Sequence, residues 1–218
     1  MGALTSEHPK CMTEIKPGET ILSRQLRQIE DTGITEVIIT TGYAESVLMN
    51  YCKSIDTKLT VHFVSNPDYR TTNYIYSVYL AREYLRDDDI FFMHGDLVFE
   101  NEVLDLLLND ERSVMAVSSS VPLPEKDFKA VIDSEGRVLK VGVEFFTDSI
   151  TAQPLYKLKH DDWSTWLSRI EQYVEHMIGV EGLIVMQRMR LMTLTERVIF
   201  LRLMSEIFFA LRLTPPKI

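Results

Sequence analysis

Three short, unbroken apolar runs, "EVIIT", "LTVHFV" and "DIFFMH", are separated from one another by segments of helical periodicity. A strand that is apolar at every position must be buried on both faces, so such runs alternating with helices point to a largely parallel sheet clad by helices on either side. In "ETILSRQLRQIEDTG" the residues Ile21, Leu22, Leu26 and Ile29 share one helical face, and Gly33 suits the C-terminal cap. "AESVLMNYC" reads as a short helix. "NYIYSVYLAREYL" reads as an amphipathic one that turns Ile75, Val78, Tyr79 and Leu85 inward. Beyond residue 112 the texture changes. "SVMAVSSS" reads as a strand, "KAVIDSEGRVLKVGVEFF" as a hairpin turning at Ser134-Glu135-Gly136, and "DDWSTWLSRIEQYVEH" as a helix capped by Asp161 or Asp162. The expected fold class is α/β, a Rossmann-like three-layer arrangement with a mostly parallel central sheet and a β-hairpin extension.

The charge balance narrows the function. The chain has 23 basic against 32 acidic residues, a net charge of -9, which disfavours nucleic acid and anionic membranes as partners because both need a positive field. Cys11 and Cys52 are too few for a disulfide framework or a paired-cysteine metal site, and the N-terminus lacks a signal pattern, so a cytoplasmic protein is expected. The most apolar tract, "VIFLRLMSEIFFALRL", is too short and carries Arg202, Glu206 and Arg212, which argues against a membrane span. A small-molecule or protein partner remains.

In sheets of this kind ligands collect at the carboxyl ends of the strands. His94-Gly95-Asp96 stands at such an end. Gly95 allows close backbone approach, and the Asp96 carboxylate can hold a hard divalent cation that bridges phosphate oxygens. The other reading of Asp96 is a turn cap before "ENEVLDLLL".

Four stretches, "HPKCMTEI", "GITEVIITTGY", "NPDYRTTNYIYSVYLA" and "MHGDLVFE", together resemble the nucleotidyltransferase superfamily, and within it the cytidylyltransferases that act on choline phosphate and related phospho- or phosphono-alcohols and amines. The likeness covers roughly residues 4 to 146, and "QPLYKL" with "DWSTWL" is similar to members acting on 2-aminoethylphosphonate. The resemblance implies transfer of CMP from CTP, with Mg2+, onto a phosphate or phosphonate. It makes Lys10 the catalytic lysine facing the triphosphate and Asp96 the catalytic and metal-binding acid. Gly42, Asn73, Ser77 and Gly95 join Lys10 and Asp96 around the nucleotide; a helix N-cap and a tolerated polar residue are the plainer readings of Asn73 and Ser77. Glu144, Tyr156, Trp163 and Trp166 are candidates for the acceptor pocket, where a carboxylate and aromatic faces favour an ammonium group; core packing competes for the rings. Self-association is left open. A sugar-1-phosphate nucleotidyltransferase is the alternative within the enzyme class, and a non-catalytic nucleotide-binding remnant the alternative outside it.

Two parts of the pattern are missing. The superfamily begins with an apolar strand and a Gly-rich loop of the form "AAGxGxR", whereas this chain opens on "MGALTSEHPK", matching the part of the pattern just after that loop. At the other end, Val174 to Ile218 contains no Asp, Asn, Tyr or Trp, and methionine recurs at 177, 186, 189, 192 and 204. Back-translated with permitted synonymous codons and reread from the third base of each codon, "LRLTPPKI" can be read as "EIDTAED", which resembles the stretch that supplies a second metal-binding acid. The expectation is a nucleotidyltransferase-like domain over 1–176 that lacks its first strand, and a frame-shifted tail over 177–218, poorly ordered or sticky, with catalysis weakened accordingly.

Overall fold

The computed structural model describes residues 8–125, 127–180 and 208–212. Its elements in chain order are β1 (Glu14–Lys16), β2 (Glu19–Thr20), α1 (Ile21–Asp31), β3 (Glu36–Thr41), α2 (Glu45–Ser54), β4 (Thr60–Ser65), α3 (Tyr74–Leu85), β5 (Ile90–His94), α4 (Asn101–Asn109), β6 (Val114–Ser118), β7 (Lys129–Ile132), β8 (Val138–Gly142), β9 (Ser149–Leu158), α5 (His160–Val180) and β10 (Phe208–Arg212). β1 and β2 form a small ribbon; the others build one sheet in the order β4-β3-β10-β5-β9-β7-β8, with β6 paired to β9.

Two of the three apolar runs, β3 and β5, behave as double-faced strands, whereas β4 lies at the sheet edge and is only partly buried. Val37 and Ile39, with Phe91 and Met93, join Leu22, Leu26 and Ile29 of α1, Leu48 of α2 and Leu104 of α4 in one core. The alternate residues Ile38, Ile90 and Phe92 face the opposite way, into a second core with Val78 and Leu85 of α3 and Trp163, Leu167 and Ile170 of α5. The α/β, three-layer expectation is therefore met. The hydrogen-bonded neighbours are nevertheless mixed. β3 and β4 pair in parallel, whereas β10 runs antiparallel to both β3 and β5, and β9 antiparallel to β5, β6 and β7. It follows that β3, β4, β5 and β6 all point one way, as helix-connected strands should, and that β7 points with them. The opposed strands β9 and β10 are intercalated among them, so parallel direction and parallel pairing part company. The position between β3 and β5 is filled by β10.

Local chemistry sets the boundaries. Thr20 caps α1 in a reciprocal capping box with Ser23, and the turn between β7 and β8 uses Gly136 at a φ of 77°. The α5 helix starts at His160, which places Asp161 and Asp162 inside its first turn rather than at its cap. The cap comes from outside: Asp89, at the foot of β5, accepts from the His160 amide at 2.7 Å and pairs with Lys159. A carboxylate already fixed by the sheet makes a local aspartate cap superfluous. The helix then continues through Val180, across the composition change at Val174 and past the expected boundary at 176. The rest of the tail expected to be frame-shifted lies outside the described residues, apart from β10.

Among the described residues no helix is long and apolar enough to cross a membrane. Cys11 and Cys52 are both buried free thiols, and burial pushes the Cys52 thiol up to about 11 and that of Cys11 further still. Ellman's reagent is expected to leave both unmodified in the native protein for hours and to titrate both within minutes in denaturant; prompt native reaction of either would contradict this packing.

Candidate active site

The turn around Lys10, the loops after β3, β4 and β5 and the start of α3 meet in one cleft at the carboxyl edge of the sheet, lined by residues that include Lys10, Gly42, Asn73, Ser77, Gly95 and Asp96. These are the positions assigned above to the nucleotide, drawn from well-separated stretches of the chain.

The acidic end is built from β5. His94 ends the strand, and Gly95-Asp96 turns the chain into the loop before α4. That loop is gripped by buried amides of α1. Gln25 Nε2 donates to the carbonyls of His94 (3.1 Å) and Leu97 (2.8 Å), and Gln28 Nε2 donates to Phe99 O (3.0 Å) and Asn101 Oδ1 (2.8 Å). Asp96 therefore stands on a fixed backbone. Lys10, in a single turn of 3-10 helix over Lys10–Met12, places its Nζ 3.6 Å from Asp96 Oδ2, with 39% and 27% of the two side chains exposed. A pair this open adds little to stability, so its interest is as a cation and an anion held in reach of one ligand. His94 beneath it is buried, and burial, assisted by Lys10 and opposed by Asp96, pulls its imidazole down to about 4. It is neutral at neutral pH and adds no charge to the cleft.

The other end is built from β3 and the loop after β4. Thr41 Oγ1 and Ser65 Oγ both donate to the Glu45 carboxylate, at 2.7 and 2.9 Å, which ties the two strand ends to the first turn of α2. Asn66 is a buried hub. Its Nδ2 donates to Thr72 Oγ1 and Ser77 Oγ, both at 3.0 Å, its Oδ1 accepts from the Asp68 amide, and its own amide bonds the carbonyl of Thr41. Asn73 Oδ1 accepts from the Ile75 amide and so caps α3. Asn73 and Ser77 thus have their plainer structural roles and line the cleft as well. Tyr69 closes over Gly42: a Cβ built there would lie 2.7 Å from Tyr69 Cβ. Gly42→Ala must displace that tyrosine, and it is expected to weaken ligand binding in the cleft at least fivefold in a calorimetric titration; unchanged affinity would show that the Tyr69 position is immaterial.

The structure does not bring the four acceptor candidates to this cleft. Trp163 is fully buried, its Nε1 donating to Leu85 O at 2.6 Å, and Tyr156 is 6% exposed in the same core. Trp166 packs edge-on against Trp163 with centroids 5.0 Å apart, and Glu144 is exposed on the loop after β8. The aromatics of "DWSTWL" lie on the inward face of α5, where an apolar ring is worth most as core. Conversely, Tyr43, Asn66, Tyr69, Arg70 and Thr72 line the cleft and were not singled out from sequence. The usable signal was an Asn-Pro turn with a polar run directly after a strand of the sheet, which is where such sheets bind ligands.

Among the described residues no three side chains gather into a metal-binding set, and Asp96 is the one acid among the described cleft-lining residues. That donor set suits Mg2+ carried in on a nucleotide, which takes one or two protein carboxylates and fills its octahedron with phosphate oxygens and water; it does not suit a protein-only cage.

A family model described as Domain of unknown function (DUF6564) matches residues 6–139. The chain is similar to the CMP-5'-(3-aminopropyl)phosphonate synthase of Streptomyces rubellomurinus, 36% identical over 123 residues that make up 56% of this chain and 19% of that protein. It is similar also to the CTP:phosphoglutamine cytidylyltransferase of Campylobacter jejuni, 24% identical over 153 residues, 64% of this chain and 59% of the relative. The chain spans less than two thirds of the length of either. Among solved structures, the CTP:phosphocholine cytidylyltransferase of Streptococcus pneumoniae superposes with a TM-score of 0.56 at 20% identity, over 84% of this chain and 75% of that one. The inositol-1-phosphate CTP transferase of T. maritima gives 0.61 at 16%, over 81% and 76%. These last two likenesses establish the shared fold, and the resemblance to the nucleotidyltransferase superfamily stands in both sequence and structure.

Proposed function

The chain belongs to the family described as Domain of unknown function (DUF6564), and we propose that it is a cytidylyltransferase: it takes CTP with Mg2+ and transfers CMP to a small phosphorylated or phosphonylated alcohol or amine, releasing pyrophosphate. Phosphocholine and 2-aminoethylphosphonate are the acceptors we assign. The observation that carries this reading is the Lys10–Asp96 pair at the carboxyl end of β5, 3.6 Å apart in the cleft that also holds Gly42, Asn73 and Ser77. The two sequence relatives, a CMP-phosphonate synthase and a cytidylyltransferase named for phosphoglutamine, support it.

In this reading an acceptor phosphate or phosphonate oxygen forms a bond to the α-phosphorus of CTP while the bond from that phosphorus to the bridging oxygen breaks, and pyrophosphate departs with the electron pair. Lys10 binds phosphate oxygens and offsets charge that moves onto the leaving group. Asp96 would hold Mg2+, which when bound withdraws charge from the phosphate oxygens. The side-chain amide of Gln25 on α1 holds the backbone on either side of Asp96. Positioning and charge neutralisation are most of what nucleotidyl transfer needs. With a single acid among the described cleft-lining residues, turnover is expected to be slow.

The test is pyrophosphate release from CTP and Mg2+ with phosphocholine, 2-aminoethylphosphonate or a hexose 1-phosphate supplied in parallel. Release with either of the first two supports the assignment. Release only with the sugar phosphate replaces it with a sugar-1-phosphate nucleotidyltransferase, and nucleotide binding without release from any acceptor leaves a nucleotide-binding remnant.

A further inference from the structure

The end of the cleft away from Asp96 is aromatic and carries a second cation. Tyr43 and Tyr69 stand with ring centroids 6.5 Å apart and planes inclined at 57°. Arg70 Nε donates to Tyr69 Oη at 3.1 Å, and the guanidinium carbon lies 5.7 Å from the Tyr69 ring centre. Tyr69 is itself wedged against Gly42, so the arginine is anchored at its Nε edge to a ring that cannot move towards the strand. All three side chains line the cleft. They sit at the ends of β3 and β4, whereas Lys10 and Asp96 sit at the end of β5, and β10 lies between β3 and β5. Two strand spacings, about 10 Å, therefore separate the end of β5 from that of β3, and three, about 14 Å, from that of β4. Those spans are the ones a nucleoside triphosphate covers from its base to its outer phosphates.

We propose that Arg70, set in place by Tyr69 and flanked by Tyr43, is the residue that reads the nucleobase and makes the site prefer cytosine to uracil. The inference rests on the nucleotide reading above and adds its base specificity. The chemistry is directional. Cytosine presents two neighbouring acceptors, O2 and N3, which match the two parallel donors at the end of a guanidinium held by its Nε. Uracil keeps the O2 acceptor but carries a hydrogen on N3, so one arginine donor would face a donor and be left unsatisfied. A lysine at this place would supply charge without the fork. The aromatic faces of Tyr43 and Tyr69 provide a sequence-tolerant surface for the ring, and the arginine supplies the discrimination.

The test is calorimetric titration of the full chain with Mg2+ salts of CTP, UTP and inorganic triphosphate, repeated with Arg70→Ala, Arg70→Lys and Tyr69→Phe. The wild type is expected to bind CTP about tenfold more tightly than UTP. Arg70→Ala and Arg70→Lys should bring that ratio close to one, chiefly by weakening CTP, while affinity for inorganic triphosphate stays within twofold. Tyr69→Phe should give an intermediate ratio. An unchanged ratio in Arg70→Ala overturns the proposal, as does an equal loss for CTP, UTP and triphosphate rescued by Arg70→Lys, which would place the arginine on the phosphates. Failure of the wild type to bind any nucleotide would instead refute the cytidylyltransferase reading and take this inference with it.

Discussion

Replacing Asp96 with alanine is expected to lower pyrophosphate release at least a hundredfold and to invert the metal dependence of CTP binding. With Mg2+ present, the carboxylate is the protein's contribution to the metal, and its loss should weaken Mg-CTP binding tenfold or more. With the metal chelated, the same carboxylate repels the triphosphate and partly neutralises Lys10, which lies 3.6 Å away. Its removal should then strengthen binding of metal-free CTP. Lys10→Ala, by contrast, should weaken binding in both conditions. A turn-capping role for Asp96 makes no such prediction, because an uncapped turn would cost affinity with and without metal alike. Titrations of the two variants with and without a chelator decide between these readings.

The second large effect is on stability. Trp163→Ala removes a fully buried indole that packs on Phe92 at 6.1 Å and on Trp166 at 5.0 Å, and it orphans the Leu85 carbonyl. The cavity and the lost hydrogen bond together should cost about 4 kcal/mol, read as a fall in the urea midpoint at unchanged slope. The affinity of the remaining folded protein for CTP and for acceptor should be unaltered. A loss below about 1 kcal/mol accompanied by weaker acceptor binding would return Trp163 to the acceptor pocket that sequence assigned it and would contradict the core position.

The strands were legible because burial on both faces leaves no room for polar residues, so Val37, Ile38 and Ile39, or Phe91, Phe92 and Met93, announce themselves without any knowledge of the partners. The order of those strands was not legible. β9 and β10 reach the sheet from far along the chain, and nothing local in "SITAQPLYKL" says that it will lie against β5. The site divides in the same way. Lys10 and Asp96 carry chemistry that a short motif can expose, and the cleft does bring them together. Tyr69 and Arg70 owe their place to Gly42, far earlier in the chain, and to the Asn66 hub, relations that exist only once β3 and β4 are side by side. The tryptophans misled for the opposite reason. An aromatic pair at 163 and 166 satisfies a binding pocket and a helix–sheet core equally well as a pattern, and only the direction of α5 separates the two.

The most direct test of the central claim is the melting temperature of the unaltered chain with and without saturating Mg-CTP. A ligand held in the native cleft at the carboxyl ends of β3, β4 and β5 must stabilise it by an amount that grows with the logarithm of the ligand's excess over the dissociation constant; at a hundredfold excess this amounts to about 2.7 kcal/mol, or a rise of several degrees. That rise is expected for Mg-CTP, with a smaller one for Mg-UTP. No shift with any nucleoside triphosphate would mean that the cleft joining Lys10 to Asp96 is not a nucleotide site.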